Sequence, residues 1–380
     1  MKASRGLLPG VLFLFTEVYA NGGIQRFNQT ILDAVGRLGI RCRVLSLNDS
    51  PESIAKHSKQ DDHSVIGFSG NRRHFALAVL GEVMRNRYDR VLIGHVNFLV
   101  LSMLILALRR WHSPQTMLIT HGIEVWSGVG EMRRYAMRRV DRILCVSHYT
   151  RRRILEQAPA LIADRLVIFP NALADTWTHV APAPFGRPLP ARFILSVTRL
   201  EPGDRYKGIA TVIEAFSMLA DDSLHYYVIG HGHDLPFLQL VAERCCVKER
   251  VHFVRGVSDS ELISLYKKCD AFVLPSGKEG FGIVFLEAMF FGAPVIAARE
   301  KGAMDVVRDG ETGISVHFGD VIAVKQAIEA LLWDGALRER LRDNGRSLVT
   351  DDGPFTFTRF TRRCAEVFEH PPHRVPQSSG

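Results

Sequence analysis

Two absences narrow the function of this sequence before any motif is considered. Its 380 residues contain only six cysteines, with no C-x-x-C pair and no histidine at a zinc-binding spacing. We interpret these cysteines as reduced and mostly buried, as in a cytosolic protein. No D-x-D triplet occurs, and no His, Cys or carboxylate residues cluster at metal-ligand spacing. We therefore expect no divalent metal.

Long hydrophobic runs are also scarce. The uncharged run at residues 96–108 has 13 residues, whereas a helix that spans a bilayer needs ~20. We predict a buried helix there, with an interfacial helix as the alternative. Near the N-terminus, Lys2, Arg5 and the apolar run 12–15 imitate a secretory signal. Because the pair Gly22-Gly23 follows at the distance of a loop after a buried strand, we interpret that run as the first strand.

Negative charge is sparse in the first half of the chain. Residues 1–190 carry 25 Lys and Arg against 14 Asp and Glu, whereas residues 191–380 carry 23 against 26. The basic half predicts an anionic partner, and a solvated basic face without a partner is the alternative. The basic clusters lack interleaved aromatic residues and no nucleic-acid motif occurs, which disfavours nucleic acid and leaves an anionic membrane surface or a lipid diphosphate.

Short apolar runs alternate with helix-like segments along the chain, which is typical of parallel sheets with crossover helices. The expected strands are 11–16, 41–46, 90–94, 116–120, 142–147, 193–197, 225–229, 251–254, 271–274 and 294–297. The prolines of residues 182–190 indicate a linker between two such segments. The sequence therefore predicts an α/β protein of two doubly wound, Rossmann-like domains that face each other across a cleft, with ligands at the carboxyl ends of the strands.

The predicted domains have definite bounds. The first domain is expected at residues 1–185 and the second at 186–355. A C-terminal helix at 356–370 is expected to pack back on the first domain, and residues 371–380 to form a disordered tail.

An unusual charge pattern lies in the second domain. Between residues 280 and 298, Glu287 is the only charged residue. A carboxylate in so apolar a helix must be paired or hydrogen-bonded, so it either tethers a neighbouring loop or binds a ligand. Glu279 lies in the loop before that helix, and Gly280 and Gly282 open the helix. Such a loop presents free N–H groups to a diphosphate, and carboxylates accept hydrogen bonds from sugar hydroxyls.

The segment E-G-F-G-I-V-F-L-E-A-M-F-F-G-A-P-V-I-A, which begins at Glu279, resembles the E-x7-E signature of the retaining glycosyltransferases of family 4, which have the GT-B fold. The resemblance implies that Glu279 contacts the transferred hexose and Glu287 the ribose of the nucleotide. It also implies that residues 1–185 form the acceptor side and residues 186–355 bind the nucleotide sugar. The resemblance assigns backbone contacts with the donor to Gly280, Phe281, Gly282 and Ile283.

A second stretch, S-V-T-R-L-E-P-G-D-R-Y-K-G, follows the first strand of the second domain. A diphosphate leaving group needs fixed cations because negative charge accumulates on it. Arg199 and Lys207 would supply them, although an Arg and a Lys in a loop are more often solvated surface. The resemblance implies that the two form the pyrophosphate clamp and that Gly208 starts the next helix, whereas it assigns no role to Arg205.

Three further loops contain candidate donor contacts. Gly230 resembles part of the family's V-G-x-G loop, and Arg255 and Val257 follow the next strand, where the base packs in the family. Gly22 and Gly23 match the family's G-G loop, which approaches the donor phosphate or the acceptor. A simple strand-to-helix turn is the alternative interpretation of this glycine pair.

His121 ends a strand of the first domain and resembles the family's H-G-x-[DE] element, in which the histidine lies near the transferred sugar. Glu124 and Trp126 could then meet the acceptor, with the indole stacking on a sugar face. The chain departs from the family at Pro170-Asn171, where the usual P-N-G-V-D lacks its Gly and Asp, so this loop receives no role.

These features predict an enzyme that transfers a hexose from a GDP- or UDP-sugar with retention of configuration and without a metal or other cofactor. The expected acceptor is a glycan or a polyprenyl-diphosphate-linked glycan. The expected location is cytoplasmic, with peripheral attachment of the first domain to the inner face of the membrane. A nucleotide-sugar epimerase of the same fold and a non-catalytic sugar-nucleotide-binding protein are the alternatives.

Overall fold

A computed structural model describes residues 10–20, 22–57, 64–107, 114–157 and 163–368. These residues form two compact units. The first unit contains the described residues up to Pro170 together with 357–368, and the second contains 171–356. The expectations for Lys2, for Arg5 and for the tail lie outside the described residues.

The described part of the first unit contains a parallel seven-stranded sheet in the order β3-β2-β1-β4-β5-β6-β7. The central strands are fully buried because helices cover both faces of a doubly wound sheet. The strands are β1 (Val11–Phe15), β2 (Cys42–Ser46), β3 (Ser64–Gly67), β4 (Arg90–Ile93), β5 (Gln115–Thr120), β6 (Arg142–Cys145) and β7 (Leu166–Ile168).

The helices of this unit that precede residue 171 are α1 (Gly23–Arg37), α2 (Pro51–His57), α3 (Arg72–Arg85), α4 (Leu99–Ala107), α5 (Ile123–Trp126), α6 (Glu131–Met137) and α7 (His148–Gln157). A C-terminal helix, which we number α15 (Phe357–Phe368), joins them and packs against α1. Its apolar residues recur at helical spacing, so they form one buried stripe. Within that stripe, the ring of Phe360 lies 5.8 Å from that of Phe27 on α1.

The second unit contains a parallel six-stranded sheet among its described residues, in the order β10-β9-β8-β11-β12-β13. The strands are β8 (Arg192–Val197), β9 (Leu224–Ile229), β10 (Val251–Val254), β11 (Ala271–Leu274), β12 (Val295–Ala298) and β13 (Ile314–Val316). The helices are α8 (Thr176–His179), α9 (Ile209–Ser217), α10 (Leu235–Arg244), α11 (Asp259–Lys268), α12 (Ile283–Phe290), α13 (Val321–Trp333) and α14 (Gly335–Ser347).

The predicted α/β class with two Rossmann-like halves is confirmed, and each of the ten expected strands occurs within about two residues of its expected bounds. The apolar run before the glycine pair forms β1. The sequence missed β3, β7 and β13, which all lie at sheet edges. An edge strand is short and less completely buried, so it lacks the continuous apolar run that marks a central strand.

The hydrophobic run at 96–108 begins with a 3-10 turn, Val96–Phe98, and continues as α4. Leu99 and Ile105 of α4 are fully buried, whereas Val100 and Leu104 are 44% and 49% exposed. The run is therefore partly a core helix and partly surface. Among the described helices, none is long and apolar enough to cross a membrane.

The two units divide at Pro170 rather than at residue 185. The segment expected to be a linker belongs to the second unit and is hydrogen-bonded to α11. The amide of Ala183 donates to the Ser260 carbonyl at 3.0 Å, and the Ser264 hydroxyl donates to the Ala183 carbonyl at 2.6 Å. The prolines of this segment lack N–H donors, and the contacts with α11 use the amide and the carbonyl of Ala183, which is not a proline.

The stripe of α15 predicts a specific stability effect. Phe360→Ala removes a fully buried ring that packs against Phe27 and Phe169, so we expect the first unit to lose about 3–5 kcal/mol of unfolding free energy. Urea denaturation followed by circular dichroism measures the loss. The matched control is Arg362→Ala on the exposed side of the same helix, for which we expect a change within about 0.5 kcal/mol. Equal stability of the two variants would contradict the packing described here.

Candidate functional site

The loops after β8 and β11 are packed directly against each other in the second unit. After β8 the chain forms a 3-10 turn, Pro202–Lys207, and reaches Gly208 at φ 78° before α9 begins. A Cβ atom at Gly208 would lie 2.6 Å from the carbonyl oxygen of Pro275, so only glycine fits there. The amide of Gly277 donates to the carbonyl of Tyr206 at 2.7 Å. These contacts bring the two predicted donor-binding loops together.

Lys207 and Glu279 form an ion pair across these two loops. The Lys207 Nζ lies 2.8 Å from the Glu279 Oε2, and the two side chains are only 17% and 15% exposed. The structure therefore brings together the two groups for which the sequence predicted the diphosphate and the hexose as ligands. Each group neutralises the other, which offsets the cost of burying both charges.

Arg199 belongs to the same group of side chains through Asp204. Its Nη2 lies 3.2 Å from the Asp204 Oδ2, and the Tyr206 hydroxyl donates to the other carboxylate oxygen at 2.8 Å. Burial and this carboxylate raise the pKa of Tyr206, which stays a neutral donor. The ammonium groups of Lys207 and Lys278 lie 5.5 and 5.6 Å from the centre of the Tyr206 ring, within reach of cation–π attraction.

Lys301, which supports the loop of Glu279, was not among the residues predicted from the sequence. Lys301 has φ 65°, a left-handed conformation that is costly for a residue with a side chain. Its Nζ donates to the carbonyl of Gly277, and the amide of Gly302 donates to the carbonyl of Glu279 at 2.9 Å. Burial and the nearby Lys278 lower the pKa of Lys301. The available signal was the position of Lys301-Gly302 just after β12, at the same sheet edge as Glu279.

The resulting cluster contains more positive than negative charge. Its cations are Arg199, Lys207, Lys278 and Lys301, and its carboxylates are Asp204 and Glu279. All six lie in segments that follow the carboxyl ends of β8, β11 or β12, and Glu279 lies in the loop that leads into α12. Such an arrangement suits a ligand with more than one negative charge.

Glu287 lies on α12 and is only 4% exposed. The hydroxyl of the fully buried Tyr266 donates to its Oε2 at 3.2 Å, so the carboxylate has the hydrogen-bonded partner that its apolar surroundings require. Phe281 is also buried, with its ring 5.3 Å from that of Phe355. The side chain of Phe281 therefore belongs to the core, and only its backbone can contact a ligand, as the resemblance implied.

The glycines after β9 are required by the neighbouring loop. A Cβ at Gly230 would overlap the carbonyl oxygen of Thr198, and one at Gly232 would overlap that of Leu200. The Gly230 amide also donates to the carbonyl of Val254 at the end of β10, at 3.0 Å. Gly230 thus shapes the loop edge next to Thr198, the residue before Arg199. After β10, Arg255 is exposed and Val257 is half-buried.

Arg205, to which the sequence assigned no role, has a structural one. Its guanidinium makes hydrogen bonds of 2.7–3.0 Å with both carboxylate oxygens of Asp234, and its Cζ lies 3.9 Å from the centre of the Phe237 ring. Asp234 precedes α10 directly. Arg205 therefore fastens the loop after β8 to the start of α10, and this cation is already paired.

His121 directly follows β5 in the first unit and is only 8% exposed. Its Nε2 lies 2.9 Å from the carbonyl oxygen of Gly94, and its amide donates to the Glu124 Oε1 at 2.6 Å. A carbonyl only accepts hydrogen bonds, so Nε2 must carry the proton of the neutral ring and Nδ1 remains an acceptor. Burial lowers the pKa of His121 although Glu124 acts in the opposite direction, which keeps the ring neutral.

The idea that Trp126 stacks on an acceptor sugar is wrong. Its indole is buried, its Nε1 donates to the Thr150 hydroxyl at 3.2 Å, and its ring meets Tyr149 edge-on at 5.1 Å. An indole whose polar atom already has a partner in the core contributes to core packing. Trp126 therefore holds α5 against α7. Glu124 is likewise engaged with the His121 amide.

The glycine pair Gly22-Gly23 lies at the start of α1, where the rest of the fold does not crowd it. A Cβ at Gly23 would meet nothing within 4 Å, and one at Gly22, whose φ of 166° is extended, would meet only the flexible side chain of Gln25. The buried carboxylate of Asp49 holds the preceding loop by accepting from the amides of Val18 and Tyr19 at 2.7 and 3.2 Å. The fold itself does not demand glycine here, which leaves the backbone open to a ligand.

Known proteins resemble both units of the chain. Residues 21–176 match the family model "Glycosyltransferase Family 4", and residues 181–348 match "Glycosyl transferases group 1". A "GDP-mannose-dependent alpha-(1-6)-phosphatidylinositol monomannoside mannosyltransferase" from Mycolicibacterium smegmatis is 32% identical over 64% of this chain and 68% of its own length. A "Phosphatidyl-myo-inositol mannosyltransferase" from Mycobacterium leprae is 28% identical over 86% of this chain and 88% of its own length.

Solved structures agree with the fold. A crystal structure of Anabaena Alr3699/HepE in complex with UDP and glucose covers 94% of this chain and 99% of its own, with a TM-score of 0.75 at 18% identity. A glycosyltransferase from Rickettsia africae reaches a TM-score of 0.79 at 17% identity, over 95% of this chain and 98% of its own. The family models and the mannosyltransferase relatives together show that this chain belongs to the family 4 glycosyltransferases of group 1, which have the GT-B fold.

Proposed function

We propose that this chain transfers a hexose of the mannose or glucose type from a GDP- or UDP-sugar to a hydroxyl of a glycan or a polyprenyl-diphosphate-linked glycan. Configuration at the anomeric carbon is retained, and no divalent metal takes part. The product contributes to cell-surface polysaccharide. In this proposal Arg199 and Lys207 hold the diphosphate, Glu279 the hexose and Glu287 the ribose, while His121 lies near the transferred sugar.

The observation that carries the proposal is the ion pair of Lys207 with Glu279 inside a cluster of excess positive charge. A diphosphate could replace Glu279 as the partner of Lys207, and the Glu279 carboxylate could then accept hydrogen bonds from sugar hydroxyls. Both ligand groups would thus have partners at one place. The relative from Mycolicibacterium smegmatis is named as GDP-mannose-dependent, and HepE was solved with UDP and glucose. Both names support a nucleotide-sugar donor for this chain.

The proposed reaction proceeds on one face of the hexose. The bond between the anomeric carbon and the phosphate oxygen breaks, and its electron pair stays with the departing diphosphate. The acceptor hydroxyl forms the new bond from the same face, and its proton passes to the departing phosphate oxygen. Arg199, Lys207 and the free N–H groups at the start of α12 stabilise the charge that develops on the leaving group. No carboxylate has to act as a nucleophile in this scheme.

Two variants separate binding of the diphosphate from transfer. Lys207→Met removes a charged donor, so we expect nucleoside diphosphate binding, measured by calorimetry, to weaken at least ~10-fold. Glu279→Gln keeps the size of the side chain but loses its charge. We expect it to bind the nucleoside diphosphate while kcat falls on the order of 10²-fold.

The control is Lys325→Met, which breaks a comparable Lys–Glu pair of 2.7 Å with Glu329 on α13, away from the cluster. We expect it to leave binding and turnover unchanged. Wild-type turnover by Glu279→Gln in a folded protein would remove the site assignment.

A screen of donors tests the reaction class and the absence of a metal. We expect one GDP- or UDP-hexose to raise the melting temperature and to yield a glycoside whose anomeric configuration, read by NMR, equals that of the donor. Turnover should be the same with and without EDTA, because Arg199 and Lys207 supply the positive charge. A C2-epimer formed without any acceptor would favour the epimerase, an inverted product would exclude retention, and loss of activity in EDTA would show a metal requirement.

The first unit also presents a surface that fits an anionic membrane. We call it the α3–α4–α6 surface and define it by three exposed apolar pairs, each on one face of its helix. The pairs are Leu77 and Met84, Val100 and Leu104, and Met132 and Tyr135, which are 44–67% exposed. The helix α4 contacts both α3 and α6, so the pairs lie on adjoining helices.

Basic residues accompany these apolar pairs. On α3 and at the end of α6 the exposed arginines are Arg72, Arg73, Arg85, Arg138 and Arg139. The Arg139 Cζ lies 3.6 Å from the centre of the Tyr135 ring, so the apolar and basic groups are in contact. Apolar side chains among arginines are the combination that inserts into the headgroup region of anionic bilayers. We therefore propose that this surface attaches the enzyme peripherally to the inner face of the cytoplasmic membrane.

Flotation with liposomes tests the α3–α4–α6 surface. We expect the wild type to bind vesicles that contain anionic lipid and to dissociate at high salt. Leu104→Ser combined with Arg138→Glu should weaken binding at least ~10-fold, because each basic residue near such a surface contributes about 1 kcal/mol. The matched control is Leu240→Ser with Arg244→Glu, which changes an exposed apolar and basic pair on α10 of the second unit. Binding that ignores salt, or equal loss in both double variants, would contradict this surface.

A further inference from the structure

A second histidine, His95, lies at the point of the first sheet where ligands of such folds bind. The strand order reverses between β1 and β4, and open α/β sheets bind ligands at the carboxyl ends of the strands beside such a switch point. Gly94 follows β4, and its amide donates to the Leu14 carbonyl at 2.8 Å. A Cβ at Gly94 would overlap the ring of Phe15. The end of β4 is thus pressed against β1, and the next residue is His95.

The proton on the ring of His95 can be placed from its backbone contact. The amide of Asn97 donates to the Nδ1 of His95 at 3.2 Å. An amide N–H only donates, so Nδ1 carries no proton and the neutral ring has its proton on Nε2. No described residue hydrogen-bonds to this Nε2–H group. His95 is half-buried, so the group can reach a ligand.

His121 presents the opposite polarity beside it. Its Nε2–H donates to the carbonyl of Gly94, which leaves Nδ1 as an acceptor that no described residue uses. The two ring centroids are 6.3 Å apart and the ring planes differ by 26°. Burial lowers the pKa of both histidines, so both rings are neutral near pH 7. One donor and one acceptor therefore lie side by side at the ends of neighbouring strands.

We propose that His95 and His121 form a donor–acceptor pair for carbohydrate hydroxyls, in which the His95 Nε2–H donates to one hydroxyl oxygen and the His121 Nδ1 accepts from a neighbouring hydroxyl. The inference rests on the proposed glycosyl transfer and adds a specificity-determining residue to it. A hydroxyl both donates and accepts, so a neutral pair of fixed polarity selects the orientation of a diol. A pair of protonated rings would not select that orientation, because both rings would then only donate hydrogen bonds.

The alternative is that His95 only caps the turn that follows it through its bond with Asn97. Two substitutions distinguish these roles. The Oδ1 of asparagine lies the same number of bonds from Cα as Nδ1 of histidine, so His95→Asn keeps the cap and loses the donor. The Nε2 of glutamine corresponds to Nε2 of histidine, so His95→Gln keeps the donor and loses the cap.

We expect His95→Asn to keep the melting temperature of the wild type and to lower kcat/KM roughly fivefold to tenfold, as for one lost hydrogen bond. His95→Gln should be less stable but nearer to wild type in kcat/KM. A purely structural role predicts that His95→Asn has wild-type kcat/KM and that His95→Gln is the poorer enzyme, and that result would overturn the proposal.

His121 provides the crossed comparison, because its two nitrogens have exchanged roles. His121→Gln keeps the donor to Gly94 and loses the acceptor, so it should keep the melting temperature of the wild type and have a lower kcat/KM. His121→Asn keeps an acceptor near the Nδ1 position and should be less stable but faster than His121→Gln. The same order of activity at both positions, with Gln or with Asn best at each, would contradict a pair of opposite polarity.

The hydroxyls belong either to the transferred hexose or to the acceptor, and one further measurement separates the two sources. Slow hydrolysis of the donor without acceptor should fall in His95→Asn if the hexose is bound. It should stay unchanged, with a raised KM for the acceptor only, if the acceptor is bound. The wild type, measured in parallel, distinguishes a failure of the proposed function from a failure of the His95–His121 inference. No transfer by wild type would overturn the proposed function and this inference with it, whereas normal transfer by wild type and His95→Asn alike would overturn this inference alone.

Discussion

The contact between the loops after β8 and β11 is the constraint on which the candidate donor site depends. The Lys207–Glu279 ion pair crosses that contact, and it can form because Gly208 has no side chain to meet the carbonyl of Pro275. A largely buried ion pair is stable only while both partners keep their geometry, because loss of one partner leaves an uncompensated charge. The ion pair therefore holds a cation and a carboxylate in place, each neutralised by the other, where the proposed diphosphate and sugar hydroxyls would each need one of them.

Close contacts between loop backbones also occur elsewhere along the same edge of the second sheet. Gly230 and Gly302 also sit where a Cβ would overlap a carbonyl oxygen of a neighbouring loop. Lys301 adds a left-handed residue whose ammonium donates to the carbonyl of Gly277. Backbone groups in close contact leave little room for loop motion, so the backbone that carries the charged side chains is already in place when a ligand arrives. That is the condition under which fixed charges stabilise a leaving group efficiently.

The first unit presents two neutral histidines at the ends of its strands, whereas the second unit presents a charged cluster. A diphosphate needs fixed positive charge, whereas hydroxyls need neutral donors and acceptors of known polarity. At the carboxyl ends of β4 and β5, backbone groups engage one nitrogen of His95 and one of His121 and so determine where each ring carries its proton. Burial keeps both rings neutral. The charged cluster of the second unit thus suits an anionic ligand, whereas the neutral pair of the first unit suits hydroxyl groups.

The sequence by itself determined the α/β class, the ten strands that carry continuous apolar runs, and the family, because burial of a central parallel strand and the spacing of the glutamate segment are both local patterns. It also indicated Arg199, Lys207, Glu279 and Glu287 as a group. Only the tertiary structure decided which of these touch: Lys207 and Glu279 are 72 positions apart along the chain and meet through two loops, whereas Glu287 is bound to Tyr266. It likewise decided that Trp126 is core, that Arg205 is committed to Asp234, that edge strands exist where no apolar run marks them, and that His95 stands beside His121. Each of these depends on which strand ends become neighbours, and that order is set by packing of the whole sheet rather than by any single segment.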